Sequence, residues 1–362
     1  MDYNNTHYML AAVKEMPPEH TFFKRRYFPT NMALDVFGSA KVLVDYKEAS
    51  QKRAPFVLPR IGGVSVGREG FSAYDLEPAN ISISKPLTID HLKNRGYGES
   101  LMSGATPADR ARTLLLSDLQ DLSARISRTE EWLAIQTMLD NGCTMRHQTE
   151  VADIYEDIPV KFYDGNDNPA LYTPGTPWTH TTLNADGSMK IGSWYYDICN
   201  MVKMLTRRGR AARDLLVAGD VGEFLQEDLW IQKALDNRRM EMGRIAPTEL
   251  TEYVTELGVF NFMGRNLSII ICDGTFEDED GSDVPYMPDG SVIVTAPNCG
   301  KGLYGGVTQL ETDGNYHTYS GTRVPQHIFT IKPPTKETQL TARPLFVPKT
   351  KSPWTAAKKV FD

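Results

Sequence analysis

The sequence predicts an α+β fold built around one exceptionally long helix. Three observations carry this. A single helical period of about 34 residues runs from Pro107 to Asp140. Roughly a hundred residues before it turn and alternate without a compact apolar core. After it comes a strand-rich half in which Asp-Gly dipeptides recur, starting at Asp164, Asp186, Asp273, Asp280, Asp289 and Asp313. Each is a candidate hairpin turn, because Gly reaches φ > 0 cheaply and Asp tolerates it.

From the N-terminus, Thr6 to Met16 reads as a short amphipathic helix closed by Pro17-Pro18. In Thr21–Pro29, Phe22, Phe23, Tyr27 and Phe28 surround Lys24, Arg25 and Arg26. One short basic run of this kind predicts an arm docking on protein rather than a nucleic-acid patch. Between Lys41 and Arg95 two alternating pieces, marked by Val42/Val44 and Ile81/Ile83, flank the Gly- and Pro-rich stretch Arg53–Gly70. The pattern predicts a long two-stranded excursion with an irregular tip. An isolated hairpin is barely stable in water, so this one needs a surface to lie on, within the chain or on a neighbour.

The long helix has a start, a stripe and a stop. Thr106 can cap, Pro107 suits the first helical position, and Asp109 places negative charge in the first turn. Leu115, Leu119, Leu122, Ile126 and Leu133 recur at helical spacing, with Thr129 at the missing step. Asp121 stands four residues before Arg125, a supporting pair, and Asn141-Gly142 supplies the stop. Asp118, Arg125, Arg128 and Glu131 fall elsewhere on the helix surface. A narrow stripe predicts a helix laid along one face of a sheet. A coiled-coil dimer is the alternative, with a repeat shorter than about three clean heptads.

Downstream, helices are expected over Trp194–Arg208, ending at Gly209, and over Val221–Asn237. Leu215–Ala218, Leu267–Cys272 and Val292–Val294 read as buried strands, and Ile328–Ile331 and Pro344–Val347 as strands returning to the core.

Composition narrows the function. A length of 362 residues allows two domains, or one domain with arms. A net charge of −7 argues against a dedicated nucleic-acid binder. Cys143, Cys199, Cys272 and Cys299 have no metal-ligand spacing and read as reduced and buried, as in a cytosolic protein. No apolar run reaches the ~18 residues a membrane span needs, so a soluble protein without a membrane partner is expected.

Chemical motifs fail on context. Gly63-Val64-Ser65-Val66-Gly67 matches a nucleophile elbow, but Pro59 interrupts the preceding strand and no helical period follows. A serine hydrolase using Ser65 is therefore a remote alternative. Gly300-Lys301-Gly302-Leu303-Tyr304-Gly305 matches a dinucleotide fingerprint, yet Gly306-Val307-Thr308 continues as strand or turn where a helix is required. Glu277, Asp278, Glu279, Asp280 and Asp283 read as a solvated hairpin tip, since the register of a calcium loop puts Phe276 in the first ligand position. The seven histidines are dispersed. No catalytic residue, metal ligand or cofactor site is expected, and the chain reads as a structural protein rather than an enzyme.

The order of elements resembles a tailed-phage major capsid protein, specifically the family of the lambda-type capsid protein E with the Hong Kong 97-type fold. Three pieces carry the resemblance: Phe22-Phe23-Lys24-Arg25-Arg26-Tyr27-Phe28-Pro29, like the family's aromatic-basic arm; the long helix; and the run from Gly258-Val259-Phe260-Asn261-Phe262-Met263-Gly264 through Ile269–Ile271 to Tyr286–Val292. The resemblance implies an N-terminal arm at 1–38, an extended loop at 39–104 crossing a neighbouring subunit, a peripheral domain at 105–170 and 318–362 with the long helix as its spine, and an axial domain at 171–317. It further implies self-assembly as pentamers and hexamers into an icosahedral shell around double-stranded DNA held without sequence specificity. Scaffolding, portal and decoration proteins are the implied partners, with assembly in the host cytoplasm and residence in the virion. Some relatives cross-link a lysine to an asparagine between subunits; Lys47 and Lys52 are the lysines in reach of such a role, but no feature here selects them. A shell of the same fold holding protein cargo is the alternative.

Overall fold

The computed structural model describes residues 6, 9–10, 13, 21–46, 53, 72–78, 80–88, 91, 106–140, 142–148, 155–162, 170–180, 184, 190–229, 231, 243–278, 281–311, 314–330 and 335–361. Within the expected first helix, residues 6, 9, 10 and 13 are helical, and its other positions through Met16 lie outside the described residues.

A six-stranded sheet forms the centre, in the order Thr355–Ala357, Val292–Thr295, Asp214–Ala218, Arg265–Cys272, Val254–Phe262, Gly243–Thr251. Asp214–Ala218 and Arg265–Cys272 run parallel, and the other neighbours are antiparallel. Asp214–Ala218 is buried at every position, which suits its unbroken Leu-Leu-Val-Ala run in the middle of a covered sheet. Helix Trp194–Arg207 packs on this sheet through Trp194, Ile198, Met201, Val202 and Leu205. Its stop is built as expected: Gly209 takes φ +69°, and Arg210 N–H reaches back to the Leu205 carbonyl at 2.9 Å.

The second downstream helix is interrupted within its expected span. It spans Gly219–Glu227 and breaks at Asp228, whose buried carboxylate accepts from Trp194 Nε1–H at 2.8 Å and Ile231 N–H at 3.3 Å. Asp228 ends one helical stretch and caps the next, since Leu229 and Ile231 beyond it are helical again; residue 230 and residues 232–242 lie outside the described part.

The excursion also pairs differently from the expectation. Val42–Tyr46 pairs with Ser72–Leu76, while Ile81–Leu87 leaves to become the edge of a three-stranded sheet with Thr335–Ala342 and Val324–Thr330. The alternating half-burial of Ile81–Leu87 explains the choice: Ile81 and Ile83 face down onto Leu119, Leu340 and Ala342. Part of the region thus finds its surface within the chain, and the tip between residues 47 and 71 lies outside the described residues apart from Arg53.

Asp-Gly pairs split in the same way. Gly281 (φ +79°) and Gly314 (φ +79°) sit at the tips of the hairpins Thr275–Glu277/Asp283–Pro285 and Val307–Leu310/Tyr316–Tyr319. Asp289-Gly290 turns the chain without joining paired strands, and Asp273-Gly274 merely links two strands of different sheets. The pairs at Asp164 and Asp186 lie outside the described residues. A tight turn without the Asp-Gly signal joins Val254–Phe262 to Arg265–Cys272. Met263 (φ +53°) and Gly264 (φ +77°) both take positive φ there. Asn261 braces it by accepting Gly264 N–H at 2.9 Å and donating to Asn266 Oδ1 at 2.8 Å.

The long helix spans Pro107–Asp140. Thr106 and Asp109 cap it reciprocally, with Asp109 N–H on Thr106 Oγ1 at 3.3 Å and Thr106 N–H on Asp109 Oδ2 at 3.1 Å. After it, Gly142–Gln148 pairs with Tyr155–Lys161. Gly142 is obligatory: its φ is +153°, and a Cβ there would stand 2.1 Å from the Val160 carbonyl oxygen. The C-terminal segment returns to the centre. Pro344–Pro348 pairs with Gly300–Tyr304, and Thr355–Ala357 closes one edge of the six-stranded sheet. Residues 170–178 cover that edge, with Tyr172 N–H on the Ala356 carbonyl at 2.7 Å.

Candidate functional site

The catalytic-motif positions that the structure describes serve strands and turns. Ser65 and the rest of Gly63–Gly67 lie outside the described residues, as do Lys47 and Lys52. Gly300–Tyr304 is a strand, and Val307–Leu310 follows where a dinucleotide site needs a helix. Glu277, Asp278 and Asp283 lie on the hairpin whose tip carries Gly281, and among the described residues no group of His, Cys, Asp and Glu is arranged to hold a metal. The four cysteines are free and buried, and burial raises their thiols, that of Cys199 to about 11 and the other three to about 12.

The glycines of Gly300–Gly306 have a different use. A Cβ on Gly300 would stand 2.2 Å from the Phe28 ring, and one on Gly302 would stand 2.5 Å from Thr30 Oγ1. The strip is bare so that the N-terminal arm can lie on it. The arm then bonds along the strip: Tyr304 N–H to Asp35 O at 2.9 Å, Phe37 N–H to Tyr304 O at 2.8 Å, and Gly306 N–H to Ser39 O at 2.8 Å.

Two adjacent carboxylates of the long helix hold the start of this arm. Glu130 is fully buried and takes a two-pronged Arg323 guanidinium at 2.7 and 2.8 Å, Lys24 Nζ at 2.7 Å and the Tyr304 hydroxyl at 2.7 Å. Burial alone would raise its pKa, but Arg323 and Lys24 outweigh it and hold Glu130 down at about 2. Tyr304 is pushed up to about 12, first by burial and then by Glu130.

Glu131 does a separate task. The short helix Phe23–Tyr27 has no capping side chain of its own, and Glu131 supplies one from 108 residues away: its carboxylate accepts Phe22 N–H at 3.1 Å, Phe23 N–H at 2.8 Å and Lys24 N–H at 2.9 Å, plus the Tyr253 hydroxyl at 3.2 Å. Burial raises its pKa, and the N–H groups only partly offset that. The sequence pattern had put Glu131 on the helix surface; its side of the helix is buried because the arm covers it. At the far end of the short helix, Asp214 accepts Arg26 Nε at 2.7 Å, Arg26 Nη2 at 3.0 Å and the Tyr27 hydroxyl at 2.9 Å. The aromatic side chains fill the space between: Phe22 and Phe23 pack edge to face, and Phe28 sits against Phe346 and Trp354.

Lys24, Arg26 and their aromatic neighbours thus dock on protein, as their composition predicted. Glu130, Asp214 and Arg323 carried no sequence signal of their own. The dense run Trp132-Leu133-Ala134-Ile135 beside Glu130 and Glu131 was the available one, because a helix apolar all round is covered all round. What the site offers chemically is a charged clasp joining arm, long helix and sheet.

Comparison with known proteins decides its family. The profile of phage major capsid protein E matches residues 5–359. The chain belongs to this family. A P21 prophage-derived major head protein of Escherichia coli O6:H1 is 23% identical over 319 residues, covering 86% of each chain. The major capsid protein of Escherichia phage lambda is 20% identical over 353 residues, covering 96% of each. A solved structure assigned to an E. coli CFT073 prophage as its capsid protein superposes with a TM-score of 0.65 at 15% identity, over 98% of this chain and 99% of that one. The fold is the α+β Hong Kong 97-type capsid fold. The protein is a phage major capsid protein, a structural component of the virion.

Proposed function

We propose that many copies of this chain close into the icosahedral head shell of a tailed phage and enclose double-stranded DNA without reading its sequence. The observation that carries this is the family match across residues 5–359, reaching from the arm to the returning C-terminal strands. The acidic net charge of −7 suits a container that does not grip its DNA tightly. The subunits are pentamers and hexamers in this reading, built with scaffolding and portal proteins in the host cytoplasm and joined later by decoration proteins. No catalytic residue, metal or cofactor takes part.

The division proposed is an arm at 1–38, an extended loop at 39–104, a peripheral domain at 105–170 and 318–362, and an axial domain at 171–317. The C-terminal segment is shared between the last two, because Thr355–Ala357 adds to the sheet of the axial part. The clasp at Glu130 and Glu131 then fixes the arm at the junction of both.

Electron microscopy of the expressed protein tests the reading. Closed particles or capsomer rings are expected, with DNA as the content of particles from infected cells. A stable monomer under all conditions, including co-expression with a scaffolding protein, would overturn it, and protein cargo in native particles would replace the genome shell by a cargo shell.

A further inference from the structure

The six-stranded sheet has ends of opposite charge. At one end lie the starts of Asp214–Ala218 and Arg265–Cys272 and the finish of Val292–Thr295. Arg207, Arg213, Arg265, Lys349 and Arg25 are exposed there. Hydrogen bonds of the main chain place them: Arg213 N–H meets the Thr295 carbonyl at 2.9 Å, the Arg213 carbonyl accepts Ser268 N–H at 2.8 Å, Lys349 N–H meets the Cys299 carbonyl at 3.0 Å, and Asn298 N–H meets the Arg26 carbonyl at 2.9 Å. Asp214, at the same end, is buried and engaged by Arg26 and Tyr27.

At the opposite end the strands finish at Ala218 and Cys272, and the hairpin Thr275–Glu277/Asp283–Pro285 extends beyond them. Glu252, Asp273, Glu277, Asp283 and Asp289 are exposed there. Two lysines also lie at this end: Lys358, which pairs with Asp140, and Lys359, whose backbone lies beside Gly290. Glu277 and Asp283 are direct cross-strand partners. Like charges directly opposite are destabilising in an antiparallel pair, so a cationic group brought to this hairpin tip would relieve their repulsion.

We propose that these two ends are the two halves of one contact between neighbouring copies, with Arg213 and Arg265 of one subunit docking on Glu277 and Asp283 of the next. The inference rests on the shell reading and specifies how copies recognise each other. Two-fold contacts that juxtapose either end with itself bring like charges together, whereas head-to-tail contacts bring opposite charges together, which is the heterologous geometry that closes rings. Screening over about 8 Å at physiological salt confines the effect to close approach, where it sets orientation. DNA as the partner of the basic end would leave the like-charged hairpin pair without a cation.

The test is a charge swap in the full chain. R213E/R265E and, separately, E277K/D283K are expected to lower the assembled fraction roughly tenfold in sedimentation and electron microscopy, with unchanged circular dichroism. Combining all four substitutions restores opposite charges across the contact and should recover assembly to within about twofold of the parent. Parent-like assembly by either double variant, or no recovery in the folded quadruple variant, overturns the proposal. So does an R213E/R265E variant that assembles normally but loses DNA retention, which assigns the basic end to nucleic acid. If the parent chain itself never assembles, the shell reading fails instead, and the two failures are distinguishable.

Discussion

The front and rear of the long helix follow different rules although they form one unbroken element. From Pro107 to Ile126 it behaves as a surface helix. Leu119, Leu122 and Ile126 are buried on one stripe, joined among the described residues by Leu340 and Ala342 and partly covered by Val13, Ile81, Ile83 and Leu115. From Ser127 to Leu139 it enters the main core on nearly every side, burying Leu133, Ala134, Ile135, Met138 and Leu139 together with Glu130, Glu131 and Thr137. The front has a small core of its own beneath a three-stranded sheet, and the rear shares the core of the six-stranded sheet. A helix can therefore be one rigid rod and still couple two unequal folding units, whose loss has different consequences.

Replacing Glu130 by Gln should have the largest effect. Lys24 and Arg323 would be left buried around a neutral amide, and breaking a buried pair of this kind typically removes about 3–5 kcal/mol. Denaturant unfolding of the isolated subunit measures it, and a loss below about 1 kcal/mol would mean that water reaches the clasp. The pH dependence has a definite sign. The folded pKa of Glu130, about 2, lies below its ordinary value of 4.5, so its stabilisation is full above pH 4.5 and is lost as pH falls towards 2. The stability gap between the parent and Glu130→Gln should shrink over that window. Glu131, raised by burial, works in the opposite direction, since protonating it relieves an unfavourable charge as pH falls.

Leu122→Ala comes next and probes the front unit. A buried leucine replaced by alanine costs about 2–5 kcal/mol, nearer the low end where neighbours can collapse into the space. The cluster is small and bordered by half-buried side chains, which favours collapse. Amide exchange should show protection falling first in Ile81–Leu87 and Thr335–Ala342, with the six-stranded sheet unaffected. Simultaneous loss in both sheets would mean that the helix transmits the change and the two units are one.

That contrast explains what the sequence made legible. In the front, the stripe at Leu115, Leu119, Leu122 and Ile126 is a local pattern and predicts burial directly. In the rear, burial of Glu131 depends on backbone N–H groups of residues 22–24, and no local pattern records a partner 108 residues away. The same holds for Gly300 and Gly302, whose motif resembled a phosphate loop. Their bareness serves Phe28 and Thr30, residues that only the folded chain brings near. The strand partner of Val42–Tyr46 was misjudged because alternation marks a strand without naming its neighbour. Elements set by local rules, such as the capped start at Thr106 and the glycine stop at Gly209, were readable to the residue.

Arg125→Ala should have the smallest effect, and its smallness is informative. Arg125 Nε lies 3.3 Å from Asp121 Oδ2, four residues earlier on the exposed side of the front section. Pairs of this type contribute about 0.3–0.5 kcal/mol, and Asp121 keeps Lys85 at 2.5 Å when Arg125 is gone. In the isolated subunit the loss should stay under about 0.5 kcal/mol and disappear near 1 M salt, where screening acts within about 3 Å. A loss above about 1 kcal/mol in the isolated subunit would show that this face is covered by its own chain, as the rear is, and the distinction between the two sections would fail. A loss that appears only in assembled particles would place a neighbouring copy against the front of the helix, and so make the exposed section the part of the rod that faces other subunits.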